Sequence, residues 1–88
     1  MPQNQTSDLE LTVRDRTRVI FNGPIKSLSS VNETGPFDIL QSHANFISII
    51  KDKITIRVEG KKEEEIKIDQ GVLKVKGNKV TVYLGIKA

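Results

Sequence analysis

The chain has 88 residues, about the size of one domain, and its hydrophobic fraction of 36% allows a small core. It contains no cysteine, which excludes a disulfide or a thiolate metal site as a supplement to that core. The formal net charge of +3 is modest, and lysines alternate with glutamates along the second half, a pattern more typical of a solvated surface than of a nucleic-acid footprint.

The composition along the chain predicts one domain preceded by a short arm. Residues 1–8 show no apolar period, so we expect a flexible arm there and the folded domain over residues 9–88. The arm does not resemble a signal peptide, and no apolar run approaches the roughly 20 residues that a membrane-spanning helix needs. We therefore expect a soluble protein with no direct insertion into a bilayer.

The first half of the chain predicts short strands separated by turns. Apolar residues alternate with polar ones from Leu9 to Val13, which is the pattern of a strand with one solvated face. Residues 18–21 predict a second strand, closed by a turn at residues 22–24. Residues 25–31 alternate more weakly, and the turn-forming residues 32–36 predict an exposed loop.

The second half predicts a clearer series of hairpins, because β-branched residues dominate its apolar runs. Strands are expected at residues 46–50, 54–58, 66–68, 72–75 and 80–84. Turns are expected at residues 60–62, 70–71 and 77–78. No stretch has a helical period of 3.6 residues, so the sequence predicts an all-β sandwich or small barrel.

The residues give no sign of catalysis. Asp15, Asp38 and Asp69 are each expected in or beside a turn, where an aspartate commonly caps backbone amides. No second carboxylate or base stands at a useful spacing, so we expect no catalytic site and no cofactor. His43 is the single histidine of the chain, and without partner ligands it predicts no metal site; its local sequence alone favours a turn histidine.

The aromatic residues raise an alternative function. Phe21, Phe37, Phe46 and Tyr83 could belong to a small OB-like barrel that stacks single-stranded nucleic acid on aromatic side chains. Stacking requires several aromatic rings directed outward on one basic face. Phe21 and Phe46 lie within apolar runs and are expected to point into the core, so we expect no nucleic-acid partner.

The order and spacing of several short segments resemble a known family. The segments are Ile20-Phe21-Asn22-Gly23, Ile25-Lys26-Ser27-Leu28, Gly35-Pro36-Phe37-Asp38-Ile39-Leu40, His43-Ala44, Gly71-Val72-Leu73-Lys74-Val75 and Asn78-Lys79-Val80-Thr81-Val82. Together they resemble the N-terminal domain of the F-type ATP synthase epsilon subunit from about Leu9 to Leu84. The resemblance implies a flattened sandwich of two five-stranded, mostly antiparallel sheets.

The resemblance also implies a mechanical role. The domain would be a non-catalytic rotor subunit that joins the gamma subunit of the central stalk to the membrane rotor ring. Ion translocation through the ring would thereby be coupled to ATP synthesis or hydrolysis. One copy would act within a hetero-oligomeric complex, at the cytoplasmic face of the cell membrane.

The resemblance assigns two contact sites. The predicted rotor-ring contact is formed by Glu33, Thr34, Gly35 and Pro36. The predicted gamma contact is formed by Phe21, Ile39, Leu40, His43 and Ala44. The chain departs from the family pattern around the histidine, where Gln41-Ser42 and Asn45 replace residues that restrict the backbone. It also ends at Lys87-Ala88, so the two C-terminal helices that are typical of the family are expected to be absent.

Overall fold

The computed structural model describes residues 9–40 and 45–85, and all regular structure within them is β-strand. The arm predicted over residues 1–8 lies outside the described residues. The seven strands are β1 (Leu9–Arg14), β2 (Val19–Ile25), β3 (Ser27–Asn32), β4 (Gly35–Ile39), β5 (Phe46–Arg57), β6 (Glu64–Lys76) and β7 (Lys79–Leu84). They form one hydrogen-bonded sheet in the order β2-β1-β7-β6-β5-β3-β4. The β1–β7 pairing is parallel and the other pairings are antiparallel, which confirms the predicted all-β, mostly antiparallel architecture.

The sheet folds over on itself around one hydrophobic core. β1 and β3 are separated by β7, β6 and β5 in the sheet, yet both contribute fully buried side chains to the same cluster. The buried apolar residues are Leu9, Leu11, Val13, Ile25, Leu28, Ile50, Ile54, Ile56, Leu73, Val75, Val80 and Val82. Since the two ends of the sheet share this core, the strands form the two faces of a sandwich.

The two layers share the long strands β5 and β6. The first layer contains β2, β1, β7, residues 71–76 of β6 and residues 46–50 of β5. The second layer contains β3, β4 and the remaining halves of β5 and β6. Between the halves, the β5–β6 register shifts between Lys51 and Asp52, and Asp52 has a positive φ of 72°. This β-bulge lets β5 and β6 pass from one layer into the other without a loop.

Three of the predicted turns differ from the structure. Residues 22–24 continue β2, which is an edge strand, so Pro24 costs no internal ladder hydrogen bond. Gln70 and Gly71 lie inside β6, so the prediction of a turn there is wrong. The expected loop at residues 32–36 is reduced to a two-residue turn, because Asn32 pairs with Gly35.

Asp15 closes the β1–β2 connection, as its expected role in a turn predicts. Its Oδ1 accepts hydrogen bonds from the backbone N–H of Thr17 at 2.8 Å and of Arg18 at 3.0 Å. These two bonds, the Thr17 bond first, hold the pKa of the Asp15 carboxyl below its usual value. Asp38 and Asp69, by contrast, lie inside β4 and β6, so the expectation of turn positions is wrong for them.

We expect the Asp15→Ala variant to be less stable than the wild-type chain at neutral pH. Because the folded-state pKa of Asp15 is lowered, its stabilising effect is complete above the unfolded pKa and is lost as pH falls through the folded pKa. Urea unfolding across this acid range should therefore show the two free energies of unfolding converging. Asp15→Asn is the control, because asparagine keeps the acceptor oxygen without the charge. If the free energies of unfolding of the wild-type chain and of Asp15→Asn differed by the same amount at every pH, the assignment would be contradicted.

Candidate docking site

The β3–β4 turn is an exposed tip with a stiff support. Glu33 and Thr34 form the tip and are exposed. Asn32 holds it from below: its Oδ1 accepts bonds from the Thr34 backbone N–H at 2.9 Å and from Thr34 Oγ1 at 2.8 Å. Its Nδ2 donates to Ser48 Oγ on β5 at 3.1 Å. The Asn32 side chain thereby links Thr34 at the tip to Ser48 on β5.

The other two residues of the predicted rotor-ring set follow the tip in β4. Gly35 has a φ of 123°, which a residue with a side chain rarely adopts, so the glycine permits the tight return into β4. Pro36 is exposed on this edge strand. The structure thus brings Glu33, Thr34, Gly35 and Pro36 together at one end of the β3–β4 hairpin.

The end of β4 and the start of β5 flank the bend that was assigned to gamma. Leu40 is 61% exposed, whereas Ile39 is half-buried and packs against the core. Phe37 and Phe46 hold the two strands together through an edge-to-face contact with ring centroids 5.9 Å apart. His43 and Ala44 lie outside the described residues, so their predicted contact stays a prediction.

Phe21 lies apart from the rest of the predicted gamma set in the strand order. It belongs to β2, whereas Ile39 belongs to β4, and these two strands are the opposite ends of the sheet. Its ring is half-buried and packs against the core cluster. Phe21 and Ile39 therefore offer less contact area than Leu40.

A groove beside the tip was not predicted from the sequence. It has a volume of about 720 Å³, and its lining includes Glu33, Thr34, Ile47, Ile49 and Lys51. The two isoleucines are 68% and 60% exposed, and both lie in the strand that the sequence predicts at residues 46–50. The available signal was the strand period: Ile47 and Ile49 must face opposite to Ile50, which is fully buried.

A metal site and a nucleic-acid stacking surface can be compared with the described residues. Among them, no group of three or more His, Cys, Asp or Glu side chains could hold a metal ion. Phe21 and Phe37 pack against the core, which confirms the expectation for Phe21. Phe46 is 38% exposed and contacts Phe37 edge to face, so the expectation that Phe46 points into the core is wrong. Tyr83 is also 38% exposed, so two of the four rings are outward, fewer than the several that stacking requires. Within residues 9–40 and 45–85, no helix is long and apolar enough to cross a membrane.

The comparison with protein families decides the classification. Residues 8–84 match the family described as the β-sandwich domain of the ATP synthase delta/epsilon chain. The chain belongs to this family. The match covers all seven strands, so it confirms both the resemblance seen in the sequence and the sandwich fold.

Two relatives of this delta/epsilon family are similar over most of the chain. The ATP synthase epsilon chain of a Nitratiruptor species is 34% identical over 77 residues, which cover 86% of this chain and 60% of the relative. The ATP synthase epsilon chain of Sulfurimonas denitrificans is 34% identical over 79 residues, covering 89% of this chain and 61% of the relative. The chain therefore spans less than two thirds of the length of either relative.

Solved structures show the same fold at low sequence identity. A chain of the Euglena gracilis mitochondrial ATP synthase, solved with OSCP, F1 and the c-ring, has a TM-score of 0.82 and 18% identity, covering 93% of this chain and 53% of that chain. A chain of the Tetrahymena thermophila mitochondrial ATP synthase, solved as central stalk and c-ring, has a TM-score of 0.70 and 10% identity, covering 93% of this chain and 66% of that chain. The sandwich is thus shared with chains of ATP synthase complexes.

Proposed function

We propose that this delta/epsilon-family chain is a non-catalytic rotor subunit of an F-type ATP synthase. It joins the gamma subunit of the central stalk to the membrane rotor ring, and so couples ion translocation to ATP synthesis or hydrolysis. The observation that carries the proposal is the family match over residues 8–84. One copy works in a hetero-oligomeric complex at the cytoplasmic face of the membrane.

The β3–β4 tip is the proposed contact with the rotor ring. Transmission of torque requires a contact that does not yield, and the three Asn32 side-chain bonds to Thr34 and Ser48 support a stiff tip. Glu33 supplies a negative charge at the end of this tip. The proposed partner surface is therefore a set of basic residues in the polar loops of the ring.

The bend between β4 and β5 is the proposed contact with gamma. Leu40 presents an exposed apolar side chain at the entrance of the bend, and the Phe37–Phe46 contact fixes the two strands on either side. A stable protein interface needs an apolar centre with a polar rim. Leu40 provides the centre, and His43 and Ala44 complete the contact.

The double variant Leu40→Asp/His43→Asp tests the gamma contact. We expect it to bind gamma much more weakly than the wild-type chain, because two carboxylates would be desolvated at the centre of the interface. The measurement is a pull-down of the tagged full chain with purified gamma subunit from the same source. Circular dichroism should show that the variant keeps its β-structure, since Leu40 is largely exposed.

A matched control places two aspartates elsewhere. Lys61 and Lys62 are exposed in the turn between β5 and β6, remote in sequence from the bend. The variant Lys61→Asp/Lys62→Asp should bind gamma as the wild-type chain does. Equal binding by all three folded proteins would refute the contact at the bend, and no binding by the wild-type chain would refute the gamma partnership.

A further inference from the structure

Asn22 in β2 is the one asparagine of the chain that is followed by a glycine. Asparagine is thermolabile, because the backbone nitrogen of the next residue can attack its side-chain amide carbon. Glycine has no Cβ, so Gly23 leaves this attack sterically open. Glutamine, glutamate, phenylalanine or lysine follows each of the other asparagines, and their side chains hinder the same attack. The sequence therefore marks Asn22 as the most reactive asparagine.

The reaction converts the Asn22 amide into a carboxylic acid through a cyclic imide. The backbone nitrogen of Gly23 loses its proton to hydroxide and forms a bond to Asn22 Cγ. The bond between Cγ and the side-chain nitrogen breaks, and ammonia leaves. Water then opens the imide at either of its carbonyl carbons, which gives aspartate or isoaspartate. Water is the one reactant consumed, and no enzyme is needed.

The folded strand opposes ring closure. Asn22 lies inside β2 and has an extended backbone, whereas the imide ring requires its ψ to leave the strand region. Thr12 lies opposite Asn22 on β1, and its Oγ1 donates a hydrogen bond to Asn22 Oδ1 at 3.1 Å. This bond holds the side-chain amide toward β1. Asn22 can therefore react only when β2 has moved away from β1.

β2 has the features of a strand that opens locally. It lies at one end of the sheet order, so β1 is its one partner strand within residues 9–40 and 45–85. The β1–β2 register shifts between Val13 and Arg14, and Pro24 has no N–H to donate to the ladder. Val19 and Ile20 are 49% and 43% exposed, so this half of β2 buries little apolar area. Such segments open at a lower free energy than the whole domain.

We propose that Asn22 is a site of spontaneous deamidation whose rate is set by the opening of β2. The modification accumulates with the time that this edge strand spends away from β1, so its extent records the age of the chain. The inference does not depend on any partner of the proposed function. It concerns the stability of β2, which carries Phe21 and Ile25 into the core.

The isoaspartate product changes the length of the strand. In isoaspartate the main chain runs through the former side-chain carbon, which adds one carbon to the backbone between Phe21 and Gly23. Phe21 packs against the core cluster and Ile25 is 1% exposed within it, and a regular strand fixes the spacing between them. Both side chains cannot keep their positions with the longer backbone. The aspartate product, by contrast, keeps the spacing and an oxygen that can accept the Thr12 bond.

The test follows Asn22 in the full chain during incubation in mildly alkaline buffer, with and without urea. Brief trypsin digestion releases residues 19–26, a fragment with Asn22 as its single asparagine, and mass spectrometry measures the conversion of amide to acid. The folded chain should react at least about tenfold more slowly than the unfolded chain, the factor that an opening free energy of about 1.4 kcal/mol gives. The rate should rise at urea concentrations where circular dichroism still shows a folded domain, because only β2 must open.

Gly23→Ala is the matched variant, since a Cβ at this position meets only the Phe21 ring at 4.0 Å. Unfolded Gly23→Ala should deamidate much more slowly than the unfolded wild-type chain. Equal rates for the two unfolded chains would exclude attack by the Gly23 nitrogen. Equal wild-type rates in the folded and unfolded states would show that the fold does not control the reaction. A rate that rises only along the global unfolding curve would refute local opening of β2.

The strand-length argument has its own control in Asn22→Asp, which carries the aspartate product without the added backbone carbon. Wild-type chain is aged in urea and refolded, and chromatography separates the isoaspartate form. This form should unfold at a lower urea concentration than Asn22→Asp, which should unfold close to the unmodified chain. Equal midpoints for the isoaspartate form and Asn22→Asp would refute the expected loss of core packing.

Discussion

Replacing Gly71 by alanine is expected to lower the free energy of unfolding by about 1–3 kcal/mol, the usual effect of overpacking a core. A Cβ at this position would lie 2.8 Å from the backbone carbonyl oxygen of Tyr83 and 3.0 Å from Leu84 Cδ2. The nearer atom is backbone in a paired strand, so β6 and β7 must move apart to accommodate the methyl group. Urea denaturation followed by circular dichroism measures the effect as a lower midpoint.

Gly23→Ala is the matched control for this change. Gly23 also lies inside a strand, but a Cβ there would meet only the Phe21 ring, at 4.0 Å, which is ordinary van der Waals contact. The methyl group should leave stability unchanged or raise it by about 0.4–1 kcal/mol, because it restricts the unfolded chain. Equal loss of stability in both variants would mean that any strand alanine is harmful here, and that the close approach at Gly71 is not the cause.

These glycines also explain where the sequence-based prediction of the fold failed. The apolar alternation correctly predicted strands along both halves of the chain, because a period of two is a local property. A glycine can mark a turn or a close approach of backbone, and the sequence around Gly71 does not show which of the two applies. The close approach at Gly71 depends on β7, which follows later in the chain, so only the pairing reveals it.

The candidate docking site was only partly predictable for the same reason. The turn at Glu33 and Thr34 is local, and its residues were predicted together. The groove beside the tip joins the β3–β4 turn to Ile47 and Ile49 of β5 and to Gln70 of β6, so its existence depends on the register of the β3–β5 and β5–β6 pairings. The bulge at Lys51 and Asp52 carries β5 into the second layer, where Ile54 and Ile56 are buried, and nothing in the run of residues 46–50 marks it.

Replacing Leu73 by alanine is expected to have the largest effect on stability, a loss of about 2–5 kcal/mol. Leu73 is fully buried in β6, where it pairs with Val82 on one side and Ser48 on the other, so truncation leaves a cavity between the layers. A chain of this size has a total stability of only about 4–13 kcal/mol. The Leu73→Ala variant should therefore unfold at a much lower temperature and a much lower urea concentration than the wild-type chain.

Leu40→Ala makes the same chemical change at a side chain that is 61% exposed, and its stability should stay within about 0.5 kcal/mol of the wild-type value. Affinity for gamma should rank the two variants in the opposite order to their stability. At a temperature where both are folded, Leu73→Ala should bind gamma like the wild-type chain, because its side chain reaches no surface, whereas Leu40→Ala should bind more weakly. If gamma affinity instead followed stability across the two variants, Leu40 would act through the fold and not as an interface residue, and the proposed contact at the bend would be wrong.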